Sequence, residues 1–139
     1  MFNLFKVKAQ QPKSLGQLGE ELAQEEYKKR GYKIIAANFF NKKGLRLGEI
    51  DFIASDKKKI IFVEVKTRNV LSDKFGGGAE AVNGFKQIKI LKAVKIYLQK
   101  NPKYLNLQPQ IDVCLINIDQ FDKKAYSAII IPNAVEDWG

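Results

Sequence analysis

Two hydrophobic periods alternate along this chain, one helical and one extended. Leu18, Gly19, Leu22, Ala23 and Tyr27 fall on one arc when projected at roughly 100° per residue. Ser14-Leu-Gly-Gln17 ahead of the arc has capping-box form and Gly31 behind it is a natural stop, so a first helix is predicted over Leu15–Arg30. Tyr32–Asn38 follows as a strand. Two strand-forming runs within Leu47–Arg68 then flank the charged turn Asp56–Lys59, the pattern of an antiparallel hairpin. Helical spacing returns in Phe85–Lys100, where Ile90, Leu91, Val94, Tyr97 and Leu98 form the apolar arc. Asn101-Pro102 ends this helix and a loop runs to Gln110. Ile111–Ile118 and Tyr126–Ile131 read as further strands, and Pro132–Gly139 as a tail whose Trp138 packs back. The predicted order is α-β-β-β-α-β-β. It describes one α/β domain over residues 14–139 behind a loosely held, flexible extension over 1–13, with no repeat and no linker.

The second run of the hairpin, Ile60–Thr67, has the composition of a buried central strand, yet it carries Glu64 and Lys66. Unpaired charge is costly to bury. Side chains alternate across a strand, so Glu64 and Lys66 share a face with Ile60 and Phe62. Glu49, Asp51 and Ile53 likewise share a face in the first run. If Asp51 stands opposite Glu64, Glu49 falls opposite Lys66 and Ile53 opposite Phe62, with opposed Cβ atoms roughly 5 Å apart. All the charges then lie on one face, and a one-residue slip would separate Asp51 from Glu64. Two readings fit. One is a hairpin whose lysine neutralises two carboxylates. The other is a site where close carboxylates suit a hard divalent cation such as magnesium and Lys66 steadies developing negative charge.

Glu20 borders the apolar arc of the first helix beside Tyr27, within reach of a site at the core's edge; a solvated glutamate is the alternative. Glu21 points to solvent, whereas Glu26 falls within the arc. In the second helix, Lys86, Lys89, Lys92, Lys95 and Lys100 occupy the outer side with no acid among them, which fits phosphate contact as well as solvation. Gln87 projects onto the buried arc, where a glutamine needs polar partners that the charged site can supply. Asn69–Gly84, with the run Gly76–Gly78, is a glycine-rich loop matching no Walker-type pattern, and both a functional and a disordered loop fit it. Asp112 reads as structural and Cys114 as a small core residue.

Composition narrows the chemistry further. The chain's 139 residues suffice for one core, and 45% hydrophobic content is ordinary for a globular protein. With 24 basic and 15 acidic residues the formal charge is +9, and the pI is about 9.6. That excess points to a polyanionic partner, nucleic acid ahead of an anionic membrane surface. There is no histidine and one cysteine, which excludes a Ser-His-Asp triad, a cysteine–histidine pair and an ordinary zinc site within one chain. Carboxylates, lysine, hydroxyls and a magnesium-type ion remain. The lack of disulfides agrees with a cytoplasmic protein, and no apolar run predicts a membrane span or a signal peptide.

The series Gly16-x-x-Gly19-Glu20-x-x-Ala23, Gly31-Tyr32, Asn38, Gly48-Glu49-Ile50-Asp51 and Phe62-Val63-Glu64-Val65-Lys66-Thr67-Arg68 resembles the YraN-like proteins. Lys86-Gln87 and Ile111-Asp112-Val113 extend the match, which covers roughly residues 14–118. That family is a branch of the PD-(D/E)XK nuclease superfamily, whose relatives include Holliday-junction resolvases and restriction endonucleases. The resemblance implies a restriction-endonuclease-like three-layer fold, a mixed central β-sheet flanked by helices. Asp51 matches the superfamily aspartate, Glu64-Val65-Lys66 the E-x-K element, Glu20 the acidic residue of the first helix, and Gln87 a glutamine of several resolvase-like branches. Ile50 replaces the proline of the superfamily's name, and Gly78 stands where a proline is expected.

The implied activity is metal-dependent hydrolysis of DNA phosphodiesters, selective for structure rather than sequence and linked to recombination or repair. Asp51, Glu64, Glu20 and the Val65 carbonyl would hold Mg²⁺ or Mn²⁺, and Lys66 would orient the attacking water and stabilise the transition state. Gln87 and Glu49 would support these groups. Arg68, Lys86, Lys89 and Lys92 would hold the nucleic-acid backbone. No small-molecule cofactor and no membrane partner is expected, and a homodimer would follow if the substrate is a junction. A non-catalytic nucleic-acid-binding protein on the same scaffold, or a structural adaptor, are the alternatives.

Overall fold

The computed structural model describes residues 13–37, 50–69, 84–119, 121–122 and 126–135, with backbone alone for 84–86. Helix α1 spans Leu15–Lys29. The predicted capping box is formed: Ser14 Oγ accepts from the Gln17 N–H at 3.1 Å, and Gln17 Oε1 accepts from the Ser14 N–H at 3.0 Å. Gly31, at φ 93°, takes the left-handed conformation that ends the helix without Cβ strain. Strands β1 (Lys33–Ala37), β2 (Phe52–Ser55) and β3 (Lys59–Asn69) follow, then α2 (Gly84–Lys100), β4 (Gln108–Ile118) and β5 (Tyr126–Ile131).

The sheet has the order β1-β2-β3-β4-β5, antiparallel except for the β3–β4 pair. The parallel pair requires a crossover, and α2 supplies it. This is the mixed, three-layer α/β arrangement expected of the chain. Ala23 and Tyr27 of α1 pack on Phe52, Val63, Cys114 and Ile116. In a second cluster, Ile90 and Val94 of α2 pack with Ile53, Ile60, Phe62 and Ile111. Adjacent β3 residues thus serve different helices, which explains why its run is apolar without alternation.

Several boundaries differ from the sequence reading. β4 begins at Gln108, not Ile111, because the Gln108-Pro109-Gln110 stretch, read as loop, pairs with Lys59-Ile60-Ile61. The Gln108 N–H also donates to the Lys58 carbonyl at 2.8 Å. A 3₁₀ turn over Pro102–Tyr104 precedes it. Phe52, rather than a residue before Asp51, opens β2. The expected contribution of Trp138 lies outside the described residues, but Val135 before it joins the α2-side core.

Asp112 is the main polar feature within these layers. It is 2% exposed and accepts hydrogen bonds from Tyr27 Oη (2.7 Å), Gln110 Nε2 (2.8 Å) and the Asn133 N–H (3.2 Å). Three donors satisfy a carboxylate that burial would otherwise make costly. They also tie α1, β4 and the turn after β5 together. Burial, then Asp112, raises the Tyr27 phenol far above its ordinary range. Burial pushes the Cys114 thiol up to about 12, so it remains an unreactive core group.

The seat of α1 on the sheet is set by Gly19. A Cβ there would lie 2.7 Å from both Cβ and Cγ2 of Thr67, inside contact distance. Gly19→Ala is therefore expected to push α1 off β3 and destabilise the protein by about 1–3 kcal/mol. Urea denaturation checks this, and Gly16→Ala, whose Cβ would find only Ser14 Oγ at 3.9 Å, is the matched control.

Candidate active site

Two carboxyl groups far apart in sequence, Glu20 and Asp51, meet where β2 begins, in the field of a third, Glu64. β2 pairs with β3 from Ser55↔Ile60 to Phe52↔Val63, and Ile53 stands opposite Phe62 as the pattern predicts. Continuing that register would put Asp51 opposite Glu64. Instead the Asp51 N–H donates to the Val63 carbonyl at 2.9 Å, one residue off the register, as at a β-bulge. The ladder stops there and the Asp51 side chain takes over: Asp51 Oδ2 accepts the Val65 N–H at 2.7 Å. A carboxylate replaces the missing strand partner. Because the N–H and C=O of one strand residue leave on the same side, the Val65 carbonyl also faces the Asp51 edge.

Glu20 arrives from α1. The close approach of Gly19 to Thr67 brings the neighbouring glutamate down to the same edge, where its carboxyl hydrogen-bonds to Asp51. Glu64 adds its field to the pair. Glu64 is 7% exposed, and alternation puts it on the face of Ile60 and Phe62, the α2 side. The expected register, with Asp51 directly opposite Glu64, is thus corrected: the bulge sets Asp51 one residue off it.

Burial first, then the hydrogen bond and charge of Asp51, then the charge of Glu64, push the Glu20 carboxyl up to about 7. Two carboxyl groups in direct contact hold a proton between them more readily than two negative charges. Among the described residues, no group of three acidic or sulfur side chains forms a ready-made metal cage. The donors present are oxygens only, and Mg²⁺ commonly takes one or two carboxylates and completes its shell with water. Asp51 and Glu64 could supply such carboxylates, with Glu20 and the Val65 carbonyl as further oxygen donors.

The other predicted residues within the described structure lie on β3 and α2. Lys66 is exposed, and alternation puts it on the face of Glu64. Arg68 follows on β3, half-buried. Gln87 is half-buried in the first turn of α2, one turn before Ile90, and Lys89 and Lys92 are exposed on the outside of that helix. Glu49 and the Lys86 side chain lie outside the described residues. Glu21 is engaged by Lys13 at 2.7 Å, and Glu26 accepts from Tyr126 Oη at 2.9 Å, which resolves its place on the apolar arc. The bulge at Asp51 and the Asp112 hub were not predicted. The Ile111-Asp112-Val113 match was the available signal for the hub.

Residues 19–116 match the family described as "Uncharacterised protein family UPF0102", a span from the Gly19 contact to beyond Asp112. A UPF0102 protein of Carboxydothermus hydrogenoformans is 40% identical over 114 residues, covering 82% of this chain and 89% of that protein. One from Caldicellulosiruptor bescii is 44% identical over 110 residues, 77% and 85% of the two chains. One from Clostridium botulinum strain 657 is 37% identical over 124 residues, 89% and 95% of the two. No helix among the described residues is long and apolar enough to cross a membrane.

The raised Glu20 carboxyl makes stability depend on pH with a definite sign. Its folded value, about 7, exceeds its ordinary 4.5, so the native state holds the proton more tightly than the unfolded chain. The contribution is fully present below about 4.5 and is lost as pH rises through about 7. Glu20→Gln, a permanent mimic of the protonated form, is expected to flatten this dependence. In metal-free buffer at pH 8 it should be the more stable protein, by on the order of 1–2 kcal/mol once partial exposure is allowed for. Denaturation of both proteins at pH 5 and pH 8 checks the crossover.

Proposed function

The chain belongs to the uncharacterised protein family UPF0102, the YraN-like group, and we propose that it is a metal-dependent nuclease hydrolysing DNA phosphodiester bonds. The single observation that carries this reading is the Glu20–Asp51 contact in the field of Glu64. Clustered acids that repel one another, in a chain without histidine, are suited to a hard cation and have little structural use without one. Asp51 Oδ2 accepts the Val65 N–H, and its carboxyl hydrogen-bonds to that of Glu20.

Asp51, Glu64 and the Val65 carbonyl would hold Mg²⁺ or Mn²⁺, with Glu20 joining directly or through water. The cation, when bound, supplies a water of lowered pKa and neutralises phosphate charge. The rest is the work of the chain. The Val65 N–H holds the Asp51 carboxylate against the strand, so the ligand is oriented before any substrate arrives. Glu20, with its carboxyl at about 7, can accept or give up a proton near neutral pH beside Asp51. Lys66 would face the phosphate and stabilise the charge that grows on it in the transition state. Gln87 and Glu49 would support the ligands. Arg68, Lys86, Lys89 and Lys92 would hold the backbone; such contacts carry no sequence information, so selectivity falls on the structure of the nucleic acid. A role in recombination or repair, and action as a homodimer on junctions, belong to the same reading.

Labelled single-stranded, duplex, flap and four-way-junction DNAs, incubated with Mg²⁺, Mn²⁺ or EDTA, test it. Cleavage should require metal. It should fall by at least about a hundredfold in Asp51→Asn, Glu64→Gln and Lys66→Ala, with DNA affinity largely preserved. Metal-independent binding without cleavage, equal in wild type and variants, would establish a non-catalytic nucleic-acid-binding protein on this scaffold. Cleavage retained by Asp51→Asn would refute the assignment of the site.

A further inference from the structure

Away from the carboxylates, the end of the sheet where β3 and β4 both start carries a second concentration of charge. α1 ends there, β1 starts there with Lys33 opposite Ser55, and the β2–β3 turn projects from it. The pairing Lys59↔Gln108 brings the end of α2 and the 3₁₀ turn to the same rim. Arg30, Lys33, Lys57, Lys58, Lys100 and Lys103 are all exposed on it. None makes an ion pair with a described residue. Lys28 and Lys29, one step back along α1, are by contrast paired with Glu25 (3.3 Å) and Glu26 (3.5 Å).

A solubilising surface mixes both signs of charge. Here the acid within the turn, Asp56, is exposed but folded back onto its own turn: its Oδ1 accepts the N–H groups of Lys58 (2.8 Å) and Lys59 (2.7 Å). Those two bonds hold its carboxyl below the ordinary range. The turn is further fixed by Asp56 N–H to the Lys59 carbonyl (3.0 Å) and Gln108 N–H to the Lys58 carbonyl (2.8 Å). Lys57 and Lys58 are thereby presented on a rigid backbone rather than a floppy loop, which lowers the ordering cost of engaging a ligand. Beside them Tyr104 stacks on Tyr97, centroids 6.2 Å apart, with Lys103 Nζ 5.1 Å from the Tyr104 ring centroid.

We infer that this rim is a second nucleic-acid-binding surface, taking the phosphodiester backbone of a duplex through Lys33, Lys57, Lys58, Lys100 and Lys103. Along β3 it lies about 17 Å from Glu64, or about five base pairs of duplex. That spacing separates it from groups that would act on the phosphate at the carboxylates. The ligand is either the flank of a duplex that also reaches the carboxylates or a second duplex segment. The inference does not rest on cleavage.

The test compares two variants with the same loss of net charge, by fluorescence anisotropy of a labelled duplex in EDTA across a salt series. Lys57→Gln/Lys58→Gln/Lys103→Gln removes free rim charges, and Lys13→Gln/Lys28→Gln/Lys29→Gln removes exposed lysines already paired with Glu21, Glu25 and Glu26. The rim variant should lower the slope of log affinity against log salt by about two to three and weaken binding at least about tenfold; the control should change it by less than about twofold. Energy transfer between donor- and acceptor-labelled duplexes, present in wild type and lost in the rim variant, would identify a second duplex. Its absence in wild type, with the affinity loss intact, would identify the flank of one duplex. Equal behaviour of the two variants, or no duplex binding by the wild type, overturns the inference. A protein that binds in this way but does not cut leaves the inference standing and removes the nuclease reading.

Discussion

The hydrogen bond from the Val65 N–H to the Asp51 carboxylate is the contact on which the arrangement of the candidate site depends. A strand inside a sheet has hydrogen-bonding groups on both edges, and those of β3 face β4 along its whole length. On the other edge the β2 ladder ends at Val63, leaving the next inward-facing N–H to be satisfied by something else. A side-chain carboxylate does so with a charge-assisted bond, stronger than the neutral one it replaces. The same bond fixes the rotamer of Asp51 and the position of the acid relative to Glu64.

Everything around that contact serves to bring other layers to it. Gly19 lets α1 descend until its backbone meets Thr67, and Glu20 comes with it. Tyr27, two turns further on, anchors the same helix to Asp112 deep in the core. One helix is thus held at two points, by an absent side chain at one and a buried hydrogen bond at the other. The core beneath is apolar on both faces of β3, so the field between Glu20, Asp51 and Glu64 is only partly screened by water.

Much of this was legible from local sequence. The capping box at Ser14, the Gly31 stop, the hairpin about Asp56 and the limits of β5 rest on neighbours a few residues apart, and each was recovered. The family resemblance singled out Glu20, Asp51, Glu64 and Val65; Glu20 hydrogen-bonds to Asp51, which also accepts the Val65 N–H. The bulge was not legible, because a one-residue displacement depends on where the ladder ends and what lies on the strand's open edge. Nor was the recruitment of Gln108-Pro109-Gln110 into β4: polar residues and a proline read as loop until a parallel partner is present. The hub at Asp112 joins Tyr27, Gln110 and Asn133, and no periodicity in one segment reports on such a junction.

The parallel pairing of β3 with β4 also has a consequence for how the chain reaches its native state. Lys59 meets Gln108 and Asn69 meets Ile118, so every rung of that ladder joins residues 49 positions apart. Contacts so remote in sequence are slow to form, because the intervening chain must be ordered before they reward it. On a growing chain, α1 and the β1–β3 meander can associate first, bringing Glu20, Asp51 and Glu64 into one unit. Until β4 emerges, that unit exposes the apolar edge of β3, an open template for another strand. The step that completes the sheet is therefore also the step at which a slow-growing chain is most exposed to aggregation.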